Sequence, residues 1–220
     1  MKTLKRLYTP AFLLLQGFLY YLILTTGGDT LVWSSFGAIV LCFLYALIGG
    51  GKPLLIAGLA CTVGADYFLV VCGAQDKLAG MVCFLAVQSL YAIYLHRQDF
   101  SKGWLWVRLG SIVAATLVTI AVLQSQTDAL ALVSLWYYAN LILNTIMAFA
   151  KFRRFPRLAI GFLLFILCDT VIGLQVAAQG YLPIPEGSLL HQIIFMSFNL
   201  AWFFYLPSQV LIALSSKKNR

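Results

Sequence analysis

Residues 151–180 read KFRRFPRLAIGFLLFILCDTVIGLQVAAQG, a basic cluster followed by a long apolar run that contains a single carboxylate. One crossing of a bilayer takes about 20 apolar residues, so this run is long enough to span a membrane. The same alternation of polar loop and apolar run continues along the whole chain. With 62% hydrophobic and 10% charged residues, the chain differs from soluble globular domains, in which about 25% of residues are charged.

The apolar runs predict eight membrane-spanning helices separated by short polar or glycine-containing turns. Eight spans leave roughly 60 residues for all tails and loops, too few for a domain outside the bilayer. We therefore predict an all-α fold, a polytopic membrane helical bundle that forms one integral membrane domain over residues 1–220. The expected spans are 9–26, 30–49, 53–73, 78–96, 104–124, 129–150, 158–180 and 189–215.

The distribution of charge supports this number of helices. Eight spans place fourteen of the fifteen Lys and Arg at one end of the bundle and leave only Lys77 at the other. Asp29, Asp76, Asp128 and Glu186 fall in the four loops on the side of Lys77. Because cytoplasmic loops carry an excess of cations, we expect both termini in the cytoplasm. The net charge of +8 then reflects orientation and contact with anionic lipid headgroups, and we expect no nucleic-acid partner.

Two acids, Asp66 and Asp169, lie inside predicted spans. Asp66 lies about 20 Å along the third span and Asp169 about 17 Å along the seventh, at 1.5 Å per residue. Both spans run in the same direction, so the two carboxyl groups are expected in one layer near the middle of the membrane. A carboxylate in hydrocarbon costs several kcal/mol unless it is paired or neutralised, and no Lys or Arg is expected at this depth. At least one carboxyl is therefore expected to be a neutral acid at neutral pH.

Other polar side chains are predicted at a similar depth, which indicates a buried polar cavity. Asn140 and Asn144 are spaced i and i+4, so both amides lie on one face of the sixth span. Buried amides also serve as hydrogen bonds between helices, worth about 0.6 to 2 kcal/mol each, and that alternative stays open for the asparagines. Pro207 is expected to kink the last span and free the carbonyl of Phe203. The predicted layer contains Tyr67, Gln88, Tyr91, Tyr138, Asn140, Asn144 and Asn199.

Two segments in the first half of the chain resemble motifs of the YhhN family, membrane proteins of the lysoplasmalogenase type. Residues 58–66, GLACTVGAD, are similar to the family's segment ending in Gly-Asp, with Ala65 in place of the Gly. Residues 84–94, FLAVQSLYAIY, are similar to its Phe…His-x-x-Tyr helix, with Gln88 in place of the usual His.

Two further segments extend the resemblance to the end of the chain. Residues 161–174, GFLLFILCDTVIGL, resemble the family's Gly-x-x-x-Phe-x-x-Ser-Asp helix. Residues 205–213, YLPSQVLIA, resemble its closing Tyr-x-x-x-Gln-x-Leu-Ile motif. The four motifs follow in order over residues 50–215, and eight spans also fit the family.

The resemblance implies hydrolysis of the vinyl-ether bond of lysoplasmalogens, which releases a fatty aldehyde and a glycerophospho-base. A vinyl ether hydrolyses by protonation on carbon, and water then captures the resulting oxocarbenium ion. One carboxylic acid can donate the proton while a second carboxylate stabilises the cation and activates water, as in glycosidases. We expect Asp66 and Asp169 to be this catalytic pair. The resemblance implies no metal or organic cofactor.

The remaining site residues are expected to orient the substrate or the water. The lysophospholipid substrate is expected to enter from the surrounding membrane lipids, in a bacterial cytoplasmic membrane. The orienting residues come from the polar layer and from the motifs: Gln88, Tyr91, Asn140, Asn144, Asn199, Tyr205 and Gln209.

Two other classes of function stay open. The first is a proton-coupled transporter or lipid translocator, since intramembrane carboxylates commonly belong to proton relays. Neither an inverted repeat nor a matched pair of broken helices is visible in the sequence, although transporters often have both. The second is a non-catalytic lipid-binding or partner subunit. Replacing Asp with Asn separates the classes, because Asn preserves hydrogen bonding but donates no catalytic proton.

Overall fold

A computed structural model of the protein describes residues 2–98, 100–124, 127–180, 184–196 and 198–217. These ranges contain helices and no strands, which confirms the predicted helical fold. A π-helical segment, Tyr67–Val71, and a 3₁₀ segment, Gly73–Asp76, follow the third helix. The helices are α1 (Lys2–Thr25), α2 (Gly28–Ile48), α3 (Pro53–Asp66), α4 (Lys77–His96), α5 (Gly103–Leu123), α6 (Ala129–Ala150), α7 (Pro156–Gly180), α8 (Leu189–Ile194) and α9 (Leu200–Ser216).

Seven helical stretches among the described residues are long and apolar enough to cross a membrane. They are α1, α2, α3 with its π-helical extension, and α4 to α7. The shorter α9 is also apolar. By length and composition, the chain is an integral membrane protein.

The last predicted span, 189–215, is divided into two helices, so the expectation of one continuous helix is corrected. α8 has only six residues, and α9 begins at Leu200, while Phe195 and Met196 belong to neither helix. The Ser188 side chain accepts the N–H of His191 at 3.2 Å and caps α8. The Asn199 side chain accepts the N–H of Trp202 at 3.2 Å and caps α9. Ser and Asn are preferred caps, so Asn199 starts a new helix inside an apolar run.

Pro207 leaves the carbonyl of Phe203 without its helical partner, because proline has no N–H. The hydroxyl of Tyr20 on α1 donates to this carbonyl at 3.0 Å. An unpaired backbone group facing lipid costs several kcal/mol. The Tyr20 hydrogen bond therefore offsets the cost of a proline within α9 and also stabilises the contact of α1 with α9. The predicted release of the Phe203 carbonyl is confirmed.

The helices pack in an order that brings distant parts of the chain together. The three most extensive helix contacts are those of α7 with α9, of α3 with α4, and of α4 with α6. α5 lies at the periphery against α6 and leaves most of its apolar side chains exposed. The interior of the bundle is therefore enclosed mainly by α3, α4, α6, α7 and α9.

Loops that carry the cations meet at one end of the bundle, as the alternation of charge predicts. The Lys52 N–H and ammonium donate to the carbonyls of Ser216 at 2.8 Å and Ser215 at 3.1 Å, at the C-terminal end of α9. The Arg154 guanidinium donates to the side-chain oxygen of Gln98 at 2.7 Å. This end is named the basic end, and it comprises the loops at 49–52, 97–102 and 151–155.

A glycine permits the close approach of α3 and α4. A Cβ atom at Gly58 would lie 2.2 Å from Cε1 of Tyr91, which is fully buried. On its other side, the Tyr91 ring packs on Phe162 of α7, with 5.4 Å between ring centroids. Gly58 therefore sets the position of a tyrosine that extends from α4 and contacts both α3 and α7.

Gly58→Ala is expected to destabilise the bundle by about 1 to 3 kcal/mol, the usual cost of overpacking a filled core. The measurement is thermal unfolding of the purified protein in detergent. Gly110→Ala is the matched control, since a Cβ atom at Gly110 on α5 meets nothing within 4 Å. Equal unfolding temperatures for the two variants would show that α3 and α4 are not in contact at Gly58.

Candidate functional site

Each of the two membrane-embedded aspartates accepts a hydrogen bond from a tyrosine on another helix. Asp66, the last residue of α3, is 3% exposed, and its Oδ2 accepts the hydroxyl of Tyr205 on α9 at 2.8 Å. Asp169 on α7 is partly buried, and its Oδ2 accepts the hydroxyl of Tyr137 on α6. Both carboxyl groups face the interior of the bundle, where polar groups in a membrane protein find partners.

Two phenylalanines join the two Asp–Tyr pairs into one site. Phe84 of α4 lies 5.4 Å from the ring of Tyr137 and 6.4 Å from that of Tyr205, between centroids. Phe165 of α7 lies 6.2 Å from Tyr137 and 5.3 Å from Tyr205. The four rings, named the four-ring cluster, are Phe84, Tyr137, Phe165 and Tyr205.

The backbone changes its winding directly after Asp66. Tyr67–Val71 form a π-helix, closed by a hydrogen bond from the N–H of Cys72 to the carbonyl of Tyr67 at 2.9 Å. π-Helical turns are rare, and they occur frequently at functional sites. The wider turn lies immediately beyond the buried carboxyl group, so Asp66 occupies the last regular turn of α3.

The asparagine amides are directed to Arg108 instead of the aspartates. The guanidinium of Arg108, on α5, donates to Oδ1 of Asn140 and, at 2.8 Å, to Oδ1 of Asn144. The Asn144 amide nitrogen donates in turn to the backbone and side-chain oxygens of Gln88, both at 2.9 Å. A cation therefore reaches the predicted polar layer, where none was expected to pair with either acid, and its described bonds go to the asparagines and Met147 and not to the aspartates.

Two buried glutamines lie next to the four-ring cluster on the side of the basic end. Gln88 is four residues after Phe84 on α4, and Gln209 is four residues after Tyr205 on α9. Each glutamine therefore lies on the same helix face as its ring residue, one turn closer to the basic end. Both are fully buried. Among the described residues, Nε2 of Gln88 and both amide atoms of Gln209 have no hydrogen-bond partner. Such atoms are suited to bind water or polar atoms of a ligand.

The other residues predicted for the polar layer lie at different places in the bundle. Asn199 is exposed at the start of α9, which corrects its expected place in the buried layer. Tyr91 is fully buried between Gly58 and Phe162, on the basic-end side of the cluster. Tyr67 is 47% exposed, and the hydroxyl of Tyr138 pairs with Thr170 at 3.0 Å.

Tyr137 is a site residue that the sequence reasoning missed. By depth alone, Tyr138 was as good a candidate for the polar layer as Tyr137, because adjacent residues lie at almost the same height on a helix. The helical face distinguishes them, since Tyr137, Asn140 and Asn144 follow the spacing i, i+3, i+7 and share one side of α6. Asn140 and Asn144 were already predicted to face the interior, so this signal was present in the sequence.

Comparison with known proteins agrees with the motifs. The model of the YhhN family matches residues 30–216. The chain belongs to the YhhN family. No curated protein and no solved structure matches it. The part that matches YhhN begins within α2 and includes both aspartates, the four-ring cluster and the buried glutamines. Within the described ranges, no group of three or more His, Cys, Asp or Glu is placed to hold a metal ion.

The pairing of Tyr137 with Asp169 can be tested by double-mutant cycles. Tyr137→Phe combined with Asp169→Asn is expected to show a coupling free energy of about 1 kcal/mol, because the two side chains share a buried hydrogen bond. Tyr137→Phe combined with Asp66→Asn is the matched cycle and is expected to show a smaller coupling. The measurement is reversible unfolding in detergent micelles, and equal coupling in the two cycles would contradict the assigned pairs.

Proposed function

We propose that this YhhN protein hydrolyses the vinyl-ether bond of lysoplasmalogen-type lysophospholipids inside the membrane. The observation that carries the proposal is the meeting of two tyrosine-bound carboxyl groups, Asp66 and Asp169, at one aromatic cluster. The products are a fatty aldehyde and a glycerophospho-base. We place the reaction in a bacterial cytoplasmic membrane with the basic end toward the cytoplasm, the orientation that the positive-inside rule favours.

The first step is the transfer of a proton from one aspartic acid to the vinyl carbon that lies farther from the ether oxygen. A C–H bond forms with the electrons of the C=C double bond, and an oxocarbenium ion remains on the adjacent carbon and the ether oxygen. The carboxylate left by proton transfer and its partner aspartate stabilise this cation. The faces of Phe84 and Phe165 add a smaller stabilisation, because aromatic rings attract cations.

The second step is the addition of water to the oxocarbenium carbon, with the second carboxylate accepting a proton from the water. The product is a hemiacetal. Its bond to the ether oxygen then breaks, and the second aspartic acid returns its proton to that oxygen, which becomes a glycerol hydroxyl. The first carboxylate takes the proton of the hemiacetal hydroxyl, and the carbon becomes the aldehyde. One water is consumed, and the two carboxyl groups return to their starting protonation.

The neighbours of the aspartates support these roles. Tyr205 and Tyr137 each donate a hydrogen bond to one carboxyl oxygen and so hold that carboxyl group in a fixed orientation. Gln209 lies one turn from Tyr205, and its partnerless amide is suited to hold the attacking water beside the cluster. The surrounding core is apolar and aromatic, which favours a lipid chain over a hydrophilic substrate.

The divided last span supports a second candidate, a proton-coupled transporter or lipid translocator. Transporter sites commonly lie where membrane helices are discontinuous, and α8 and α9 are separated in this way. In a transporter, Asp66→Asn would abolish proton coupling while substrate binding survived. In the hydrolase it would abolish turnover.

The test is aldehyde release from an alkenyl lysophospholipid by the purified protein in detergent. Asp66→Asn and Asp169→Asn are each expected to lower the rate by about 100-fold or more, the usual contribution of a general acid or base. Asp128→Asn is the control, because this acid is exposed at the start of α6. Thermal unfolding verifies that each variant is folded.

Two results would contradict the proposed hydrolysis. One is a wild-type rate in folded Asp66→Asn and Asp169→Asn. The other is no aldehyde release from any headgroup variant of the lipid. Proton uptake by proteoliposomes that depends on Asp66 would then favour the transporter.

A further inference from the structure

Arg108 has an unusual orientation for a cation near the end of a membrane helix. It lies five residues after Gly103, the first residue of α5. Long cationic side chains in this position normally extend toward the headgroups. The Arg108 guanidinium instead binds Asn144, six residues before the end of α6, and Asn140, one turn closer to the middle of the membrane. Its charge therefore lies at least as deep in the bundle as its own backbone.

Every described partner of this guanidinium is neutral. The partners are the two asparagine oxygens and, at 3.5 Å, the sulfur of Met147. Arginine has five N–H donors, and the Nε of Arg108 is buried without a hydrogen-bond partner among the described residues. A partly buried cation with no carboxylate among its described partners favours the binding of an anion.

His96, the last residue of α4, lies at the same end of the bundle as Arg108, which is in the second turn of α5. Its Nε2 atom is also buried, with no partner in the described part of the chain. α4 and α5 both pack on α6, so these two nitrogen-bearing side chains flank the same helix near the basic end. The free N–H of the Arg108 guanidinium is complementary to an oxyanion, and so is Nε2 of His96 in the tautomer that carries its proton there.

We propose that Arg108, with His96, binds the phosphate group of a phospholipid beside α6. Arginine suits this ligand because its planar donors match the oxygens of a phosphate. Leu105, Trp106 and Leu109, which surround Arg108 in sequence, are all more than half exposed on the peripheral α5. These apolar side chains make the approach to Arg108 a lipid surface, which favours a phosphate attached to a lipid over a free phosphate.

The position of Arg108 also fits the candidate reaction, and the identification of the bound lipid as substrate rests on the proposed function. Asn140, which Arg108 contacts, lies three residues or about 4.5 Å along α6 from Tyr137. Tyr137 in turn donates to Asp169. In a lysoplasmalogen, only the glycerol backbone separates the ether oxygen from the phosphate. A lipid with its phosphate at Arg108 would therefore place its ether bond near Asp169.

The test compares the binding of three probes to the purified protein in detergent. The first is an alkyl lysophospholipid, whose saturated ether has no vinyl carbon to protonate, and the second is the matching alkylglycerol without phosphate. Inorganic phosphate is the third. The wild type is expected to bind the alkyl lysophospholipid about tenfold or more tightly than the alkylglycerol, since a charge-assisted phosphate contact distinguishes them.

Arg108→Gln is expected to abolish this preference. Arg108→Lys is expected to keep part of it, because lysine retains the charge but loses the planar arrangement of donors. Lys102→Gln is the matched control, since it removes the same charge from an exposed position at the start of α5. If Arg108→Gln does not fold, a reduced preference in Arg108→Lys supports the site, and a preference equal to the wild type overturns it.

Equal affinity of the wild type for the two lipids would overturn the phosphate site, as would a full preference in folded Arg108→Gln. Displacement of the lysophospholipid by inorganic phosphate at equal concentration would overturn the lipid assignment and indicate a free anion. The binding test does not require the protein to hydrolyse the lipid. Its outcomes therefore remain interpretable if the vinyl-ether assay fails, and the phosphate site and the proposed hydrolysis can fail independently.

Discussion

A polar group inside a membrane must find its hydrogen bonds within the protein, because the lipid offers none. Asp66 requires a donor and receives one from α9, and Asp169 receives one from α6. The carbonyl released by Pro207 receives its donor from α1 through Tyr20. Each of these contacts fixes the height and rotation of one helix against another. The bundle therefore derives much of its register from a few polar pairs in an apolar interior.

The same constraint explains why the fold could be predicted from the sequence. Hydrophobic runs and the alternation of basic and acidic loops identified the membrane helices and the end of the bundle that carries the cations. The break before Leu200 was not predicted, because the apolar character of residues 189–215 continues across it. Asn199 caps the new helix, but a capping residue inside an apolar run is equally consistent with a buried amide.

The candidate site could be predicted where the depth of a residue in the membrane was sufficient to place it. It could not be predicted where the direction of the side chain decides its contacts. Depth identified Asp66 and Asp169, and a motif identified Tyr205. Depth could not distinguish Tyr137 from Tyr138, the next residue, which points about 100° away around α6. It also misplaced the charge of Arg108, because a long side chain carries its charge several ångströms from the backbone. The asparagines therefore bind a cation that the sequence assigned to the interface.

Protonation on carbon is the central claim for the proposed chemistry, and an isotope experiment tests it most directly. The hydrolysis of an alkenyl lysophospholipid is carried out in D₂O, with the aldehyde reduced to an alcohol as it forms so that later exchange is prevented. Mass spectrometry of the alcohol then locates the label. Proton transfer from an aspartic acid predicts one deuterium on the carbon next to the former carbonyl carbon. An alcohol without deuterium at that carbon would contradict acid catalysis by the Asp66 and Asp169 pair.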